Sequence, residues 1–422
     1  MATQASAEDR SATYREALAS SEFRAVYFGS TLSSVGDYLS KAAVTALVFA
    51  DTRSAALAAG AFAISYVPWV VGGPVLAAAV TRVPYRSAMI FCDVARFALI
   101  GCLAIPGTPV PMMFALLFAA SMFDPPFQAA RSALLPEILA GDSYVIGVTL
   151  QSMTTQAAQV VGYAAGGITA AFSAHAAIAL NSATFAVSAL FLVRGVRPRP
   201  VALDRAQRTS LLRETAAGFV AVFSNPVLRA IALVVFAAVA VSIIPEALGV
   251  VWAKHTGHDG FAQGLIMAAN PAGYAIGGVI LVRALSPRRR QQLIPLFALV
   301  PAACLCVAFT DPPLAGVVVI AGLGGLAMAG VIAPANGLFV QVIAPEFRAR
   351  AFGVMQGGLQ IINGVAALTA GAVAQSVGLA PAVGTCGVIG LAALGIIALR
   401  WPDPDRIRAA IDHRAGPLAE AA

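Results

Sequence analysis

Long apolar runs separated by short polar turns recur twelve times along this chain. They fall near residues 25–50, 55–80, 87–105, 109–132, 144–171, 174–194, 227–253, 260–283, 291–310, 313–337, 350–376 and 379–400, numbered here as spans 1 to 12. Each holds roughly 20 to 27 residues, and at about 1.5 Å of rise per residue a helix of that length crosses a hydrocarbon core of about 30 Å. Lipid offers no partner to a backbone N–H or C=O, and the runs are too long and too uniformly apolar for barrel strands. The pattern therefore predicts twelve membrane-spanning helices and an all-α fold.

The turns between the runs differ in charge. Arg82 and Arg86 follow span 2, Arg131 closes span 4, and Arg194, Arg197, Arg199, Arg205, Arg208 and Arg213 lie between spans 6 and 7. Arg283, Arg288, Arg289 and Arg290 follow span 8, Arg348 and Arg350 follow span 10, and Arg400, Arg406, Arg408 and Arg414 lie in the tail. The opposite turns hold only Arg53 and Lys254. Positive charge stays on the cytoplasmic side, so both termini are predicted there.

Composition narrows the class further. With 59% hydrophobic and 11% charged residues, the chain is too apolar for an ordinary soluble domain. The net charge of +7 comes from cytoplasmic loops and reads as contact with anionic headgroups of the lipid bilayer, not with nucleic acid, because no basic patch is interleaved with exposed aromatics. Residues 1–23 carry Glu8, Asp9, Arg10, Arg15, Glu16 and Glu22 without an apolar core, so no cleavable signal is expected and span 1 serves as the insertion signal. Cys92, Cys102, Cys304, Cys306 and Cys386 all fall inside spans and read as small buried hydrophobes, not disulfides. His175, His255, His258 and His413 form no ligand pair, so no metal is expected. Gly322 to Ala327 fits a dinucleotide-binding spacing but lies inside span 10 with no strand before it, and no Walker sequence is present; no cofactor and no enzyme activity are expected. Twenty-five arginines against two lysines, beside abundant alanine, point to a GC-rich bacterial genome and hence to a multi-pass protein of the inner (plasma) membrane.

The chain divides into a cytoplasmic segment (1–23), a six-helix bundle (24–194), a cytoplasmic linker (195–226), a second six-helix bundle (227–400) and a cytoplasmic tail (401–422). Within the linker, Leu211, Leu212, Thr215, Phe219, Val222 and Phe223 recur at helical spacing beside Arg213 and Glu214, which predicts an amphipathic helix along the inner membrane surface. The halves repeat one another. A shift of 209 residues lays Pro125 on Pro334 and Pro136, Glu137 on Pro345, Glu346; a shift of 205 lays Gln151 on Gln356 and Gly166 on Gly371. Duplication of a six-helix unit in one orientation is the arrangement of major facilitator transporters.

The chain resembles the major facilitator superfamily, and within it the drug:proton antiporter branch that includes macrolide-efflux and siderophore-export proteins. The resemblance is carried by Phe23-Arg24 leading to Ser34-Val35-Gly36-Asp37, by Phe123-Asp124-Pro125-Pro126 through Leu134-Leu135-Pro136-Glu137, and by Leu212-Arg213-Glu214 through Gly218-Phe219 to Asn225-Pro226-Val227-Leu228-Arg229. Pro345-Glu346-Phe347-Arg348-Ala349-Arg350 is similar to the branch's Pro-x-x-x-Arg-x-Arg turn, one residue shorter. Two signatures are incomplete. Between spans 2 and 3, Ala77 stands for the family's glycine and Thr81 for its aspartate, leaving Arg82 and, one place late, Arg86; in span 5, Gly162-Tyr163-Ala164-Ala165-Gly166-Gly167 lacks the antiporter proline. The resemblance implies two six-helix bundles that rock about a central site, and a cytoplasmic gate whose candidates here are Arg82, Arg86, Asp93, Arg96, Arg283, Arg348 and Arg350.

Ionisable residues inside spans cost about 2.5–3.5 kcal/mol each on insertion scales, so those retained are the candidates for function. Span 1 carries Ser30, Ser34, Asp37, Lys41 and Thr45 at steps of three or four, a polar stripe that must face a cavity or another helix. Asp37 lies roughly 20 Å from the cytoplasmic start of its span, near the midplane where such transporters bind substrate. It is either a proton- or cation-sensing carboxylate or a static partner of Lys41. Asp93 and Arg96 share a face of span 3 and can pair with each other or reach Arg82, as a gate or as interhelical glue. Asp124, before Pro125 and Pro126 at a predicted kink, and Glu246, after Pro245 toward the outer side of span 7, complete the proton-coupling candidates with Asp37. Asp124 is equally readable as a tie across the kink, and Glu246 as a wet position near the exterior.

Polar positions that can line a substrate cavity are Ser34, Asp37, Tyr38, Lys41, Gln151, Thr155, Gln159, Asn270, Gln356, Gln360 and Asn363. Amides that clamp neighbouring helices are the competing reading for the glutamines and asparagines. Gly162, Gly166 and Gly167, with Gly353 and Gly357, are expected to permit close, sliding helix contacts. A largely apolar inner cavity is expected to suit lipophilic compounds. The expected function is secondary active export of an amphipathic or lipophilic small molecule in exchange for protons, one chain supplying the whole pathway; an uptake permease or uniporter of the same fold, and a transport-inactive scaffold or sensor, are the alternatives.

Overall fold

The computed structural model describes residues 13–71, 83–200, 211–344 and 347–419. Regular structure among them is entirely helical and forms the twelve spans as two six-helix bundles. Seven helical stretches are long and apolar enough to cross a membrane by length and composition alone, and they hold eight spans because Asp142–Gly195 contains both span 5 and span 6. The chain turns there at Ser173, whose backbone is extended (φ −162°, ψ 110°) and whose Oγ accepts the N–H of Ala176 to start span 6. Span 1, Ser21–Thr52, is ample in length; its own polar stripe keeps it out of that apolar set.

Proline sets the other interruptions. Span 4 is split into Val110–Ser121 and Asp124–Ile138, since Pro125 and Pro126 have no N–H to continue the ladder of the first piece. Span 7 is split into Pro226–Ser242, Ile244–Ala247 and Gly249–His255 around Pro245. Pro334, which the internal repeat aligns with Pro125, leaves Leu314–Val342 continuous as span 10. Spans 3, 8, 11 and 12 are Tyr85–Leu103, Gly260–Ala284, Arg348–Val377 and Leu379–Leu399, span 9 is Ile294–Cys306 extended by Val307–Thr310, and span 2 is described as Ala55–Ala63, Ile64–Tyr66 and Val67–Val71.

Small residues hold the bundles together, as expected where lipid supplies no hydrophobic drive between helices. Gly162 and Gly166 of span 5 lie against the backbone of Val35 and Leu39 in span 1, and Gly273, Gly277 and Gly325 bring spans 8 and 10 into backbone contact. The Gly322 to Ala327 segment is thus a helix-packing surface. Large apolar side chains such as Phe91, Phe172 and Leu399 are exposed on the outside, where the acyl chains lie.

On the inner side, Glu22 binds Arg199 at 2.7 Å and Arg197 at 3.3 Å, and Arg199 also meets Glu137 at 3.5 Å, tying the start of span 1, the end of span 4 and the segment after span 6 together. The amphipathic linker helix is present as Leu211–Ser224; Val222 is buried and Phe223 packs on the second bundle, while Phe219 stays exposed. Asn225 then caps span 7, its Oδ1 accepting the N–H groups of Val227 and Leu228. The tail carries a helix, Pro404–Ala419, that hydrophobic patterning did not predict. Outside the membrane Lys254 lies 2.6 Å from Asp259 and holds that carboxyl below the usual carboxylate range. All five cysteines are free.

A Cβ at Gly325 would meet the backbone of Asn270, whereas at Gly278 it would meet open space. Gly325→Val is therefore expected to lower stability by about 1–3 kcal/mol through overpacking, with Gly278→Ala unchanged or slightly more stable. Thermal unfolding of the purified variants in detergent measures the difference.

Candidate functional site

The two bundles meet along two seams made by equivalent spans. In one, Gly167 of span 5 faces Gly260 and Gly264 of span 8; in the other, Gly371 of span 11 faces Ala55 and Ala59 of span 2. All these residues lie in the outer halves of their spans. Two side-chain amides lock the seams: Gln263 donates to the carbonyl of Ala42 at 2.8 Å and to Thr45 Oγ1 at 3.0 Å, and Gln375 accepts the N–H of Ala55 at 2.7 Å. The inner side differs. Gly353, Gln356, Gly357, Gln360 and Asn363 share one face of span 11, and below Gln360 no described residue covers it: Gln356 is exposed, and a Cβ at Gly353 or Gly357 would touch no described atom. Gly162, Gly166 and Gly167 thus make the close contacts expected of them, whereas Gly353 and Gly357 make none with the described residues. The outer side of the molecule is closed by these seams.

Inward of the seams lies a cavity of about 430 Å³ lined by both halves. Asp37, Lys41, Arg96, Asp124, Arg131 and Glu246 all line it. Three acids and three bases correct the expectation of an apolar cavity with few charges. Their source is the polar face that each broken or striped helix has to hide from lipid.

Arg96 is the centre of the first cluster. Its guanidinium lies 2.7 Å from Asp37 and 4.0 Å from Asp124, and it sits over the Phe185 ring at 4.2 Å. Trp69 and Gln128 donate to the two oxygens of Asp124 at 3.2 and 3.3 Å. The Arg96 side chain is 7% accessible and that of Asp37 is 37%, so the arginine is structural in position while the carboxylate reaches the cavity. Asp37 is therefore paired with Arg96, not with Lys41. The expected Asp93 to Arg96 pairing is likewise absent among the described residues: Asp93 is fully buried, beside Ser188 of span 6. Arg82 lies outside the described residues, so its contacts with span 3 are not addressed.

Lys41 instead sits among aromatic rings, 4.6 Å from the Tyr66 centroid, 5.0 Å from Phe62 and 5.9 Å from Tyr38. Such a cage suits a cation removed from water. Across the cavity Glu246 is held by Tyr163, which donates at 3.1 Å, and by Gln159 at 3.4 Å. It is 4% accessible, which removes the reading of a wet outer position. Glu246 is the one charge that the second bundle contributes to this cavity lining.

The amides divide. Ser34, Tyr38, Thr155, Gln159, Gln360 and Asn363 line the cavity, and Asn363 Oδ1 is buried there without a partner. Gln151 does not line it; its Oε1 accepts from Ser30 at 3.2 Å and joins span 5 to span 1. Asn270 donates to the Ser242 backbone and hydroxyl across the span 7 break, and lines a side cavity of about 140 Å³ next to Glu246. Gln356 does not line the cavity and is exposed below it on the same face of span 11.

The gate candidates are similarly dispersed. Arg86 donates to the carbonyl of Val193 at 2.7 Å and caps the end of span 6 inside its own bundle. Arg96 is central, not cytoplasmic. Arg283 is exposed at the end of span 8, Arg350 is exposed at the start of span 11, and Arg348 is half-buried beside it. Hydropathy missed Arg131, read as an inner-loop charge, because the helix runs on to Ile138. Asp124, Gln128 and Arg131 at steps of four and three were the signal that could have found it. Trp69, Tyr66, Tyr163, Gln263 and Gln375 left no such signal.

The sequence matches the Major Facilitator Superfamily profile over residues 26–248 and 240–420. A search of curated proteins finds no match. The fold is similar to that of a nucleoside transporter, NupG, at 14% identity and TM-score 0.70 over 90% of this chain and 98% of that one. It is also similar to a peptide transporter, POT, in complex with sulfate (13%, TM-score 0.68, 93% and 96%). A bacterial homologue of the human lysosomal transporter Spinster, inward-facing and unoccupied, matches at 12% identity and TM-score 0.67 over 94% and 98%.

Replacing Gln263 with leucine removes both donor bonds of the outer lock, worth about 0.5–1.5 kcal/mol each. With spin labels at Phe172 and Phe261 in a cysteine-free background, the wide-open distance population is expected to rise roughly fivefold or more. An unchanged distance distribution would show that the amide does not hold the seam.

Proposed function

The chain belongs to the Major Facilitator Superfamily and is a multi-pass membrane transporter, and on that premise we propose that it exports an amphipathic small molecule in exchange for protons by alternating access. The supporting observation is the cavity between the bundles, where Lys41 of the first bundle faces Glu246 of the second across a space closed on the outside. Fully ionised, the lining charges of this cavity balance, three against three. A proton taken by Glu246 or Asp37 unbalances them, and a bound cationic or dipolar solute restores the balance in another way. Proton and solute then compete for one site, which is the requirement of antiport. The outer glycine seams supply the second element, surfaces that can part without separating large side chains.

The charged and amide-rich lining favours an amphipathic solute over a purely lipophilic one, because each polar wall group left unpaired by a hydrocarbon costs its desolvation. The motif residues around Asp37 and Asp124 support the drug:proton antiporter branch as the reading within the family, against the missing proline of the span 5 signature. The functional unit is a single chain, in the inner membrane of a bacterium.

Purified protein in liposomes under an imposed pH gradient, tested against a panel of amphipathic dyes and antibiotics, measures this. Asp37→Asn, Asp124→Asn and Glu246→Gln are each assayed, and Glu246→Gln is expected to abolish uphill movement while still binding solute. If all three neutral variants drive extrusion as the parent does, proton coupling by these groups is wrong; a parent that moves no solute of the panel under the gradient would favour a transport-inactive scaffold. Solute flux directed into energised vesicles from the cell-exterior side would instead establish an uptake permease.

A further inference from the structure

A second and larger hollow, of about 1880 Å³, lies on the inner side of the second bundle, away from the transport cavity. It exceeds the roughly 300–1,000 Å³ of an ordinary small-molecule site. Its walls are the linker helix Leu211–Ser224, the first turns of span 7, the turn after span 10, the last turn of span 12 and the tail helix Pro404–Ala419. Span 7 begins at Pro226 and span 12 ends at Leu399, so the hollow straddles the boundary between acyl chains and headgroups.

The chemistry of its lining is divided by depth. Val220, Leu233 and Ile396 are exposed apolar side chains on the wall. Arg229, Arg400 and Arg406 are the only charged residues of the lining, all exposed, and none makes an ion pair among the described residues. The nearby carboxylate of Asp405 is turned to Arg408 at 3.2 Å. Three cations unpaired among the described residues, above an apolar trough, complement one kind of molecule: an anionic headgroup with a hydrocarbon chain attached.

We infer that this groove seats an anionic phospholipid of the cytoplasmic leaflet, with its phosphate among Arg229, Arg400 and Arg406 and an acyl chain along Val220, Leu233 and Ile396. The lipid joins the linker and tail helices to the second bundle. The groove is separate from the transport cavity, so it stands or falls independently of the transported solute.

The test uses the full chain in detergent, titrated with phosphatidylglycerol or with phosphatidylcholine of the same chains, reading the unfolding midpoint and the lipid retained in native mass spectrometry. Phosphatidylglycerol is expected to be retained and to raise the midpoint by a few degrees, and phosphatidylcholine is not. The variant R229Q/R400Q/R406Q is expected to lose affinity about fivefold per arginine, on the order of a hundredfold in all. Replacement of the same three by lysine keeps most of the binding, and the control R288Q/R289Q/R290Q keeps all of it. Should the glutamine variant not purify, Ala216→Trp, which fills the groove from an exposed wall position without altering charge, is expected to release the lipid. Equal stabilisation by phosphatidylcholine, retention of phosphatidylglycerol by either groove variant at the parent's level, or a full shift from inorganic phosphate alone would overturn the assignment.

Discussion

A guanidinium in the middle of a lipid-embedded bundle has no water to turn to, and Arg96 answers by lying between Asp37 and Asp124. Breaking such a buried group by removing one partner is costly, because the remaining charge is stranded in a medium that cannot solvate it. Spans 1, 3 and 4 are therefore bound to one another by charge as much as by packing. Trp69 extends the network to span 2 and Gln128 keeps Asp124 turned toward it. The first bundle is built around a polar centre flanked by apolar clusters toward its two ends.

The second bundle follows another rule. Its charges are at its ends, and its interior is joined by glycine contacts between spans 8 and 10 and a large apolar core through spans 7, 9, 10 and 12. Glu246 is its single charged contribution to the shared cavity, placed at the break in span 7 that Pro245 enforces. The asymmetry concentrates the groups that can exchange protons on one side of the cavity and leaves one acid opposite them. Two rigid bodies with unequal charge can then be moved relative to one another by what occupies the space between them.

Movement needs a surface that can part. The outer seams are backbone against backbone, with Gly167, Gly260, Gly264 and Gly371 at the contacts and the amides of Gln263 and Gln375 as the specific bonds. Such contacts hold closely yet release few interlocked side chains when they separate. On the inner side the same face of span 11 continues past Gln360 with no facing neighbour among the described residues.

The sequence by itself determined the twelve spans, their orientation and the two bundles, because hydrocarbon admits only helices of a given length and keeps positive charge on one side, and both constraints act on each segment separately. It also determined which ionisable residues lie within spans, since their cost there is independent of neighbours. Only the tertiary structure decided their partners: Asp37 with Arg96 instead of Lys41, Asp93 apart from Arg96, Arg131 drawn into the cavity, Gln151 as a helix tie and Gln263 as an outer lock. Helical spacing says which residues share a face but not which face meets which. Pairing between helices distant in sequence is settled by how the bundles pack, and that is a property of the whole chain.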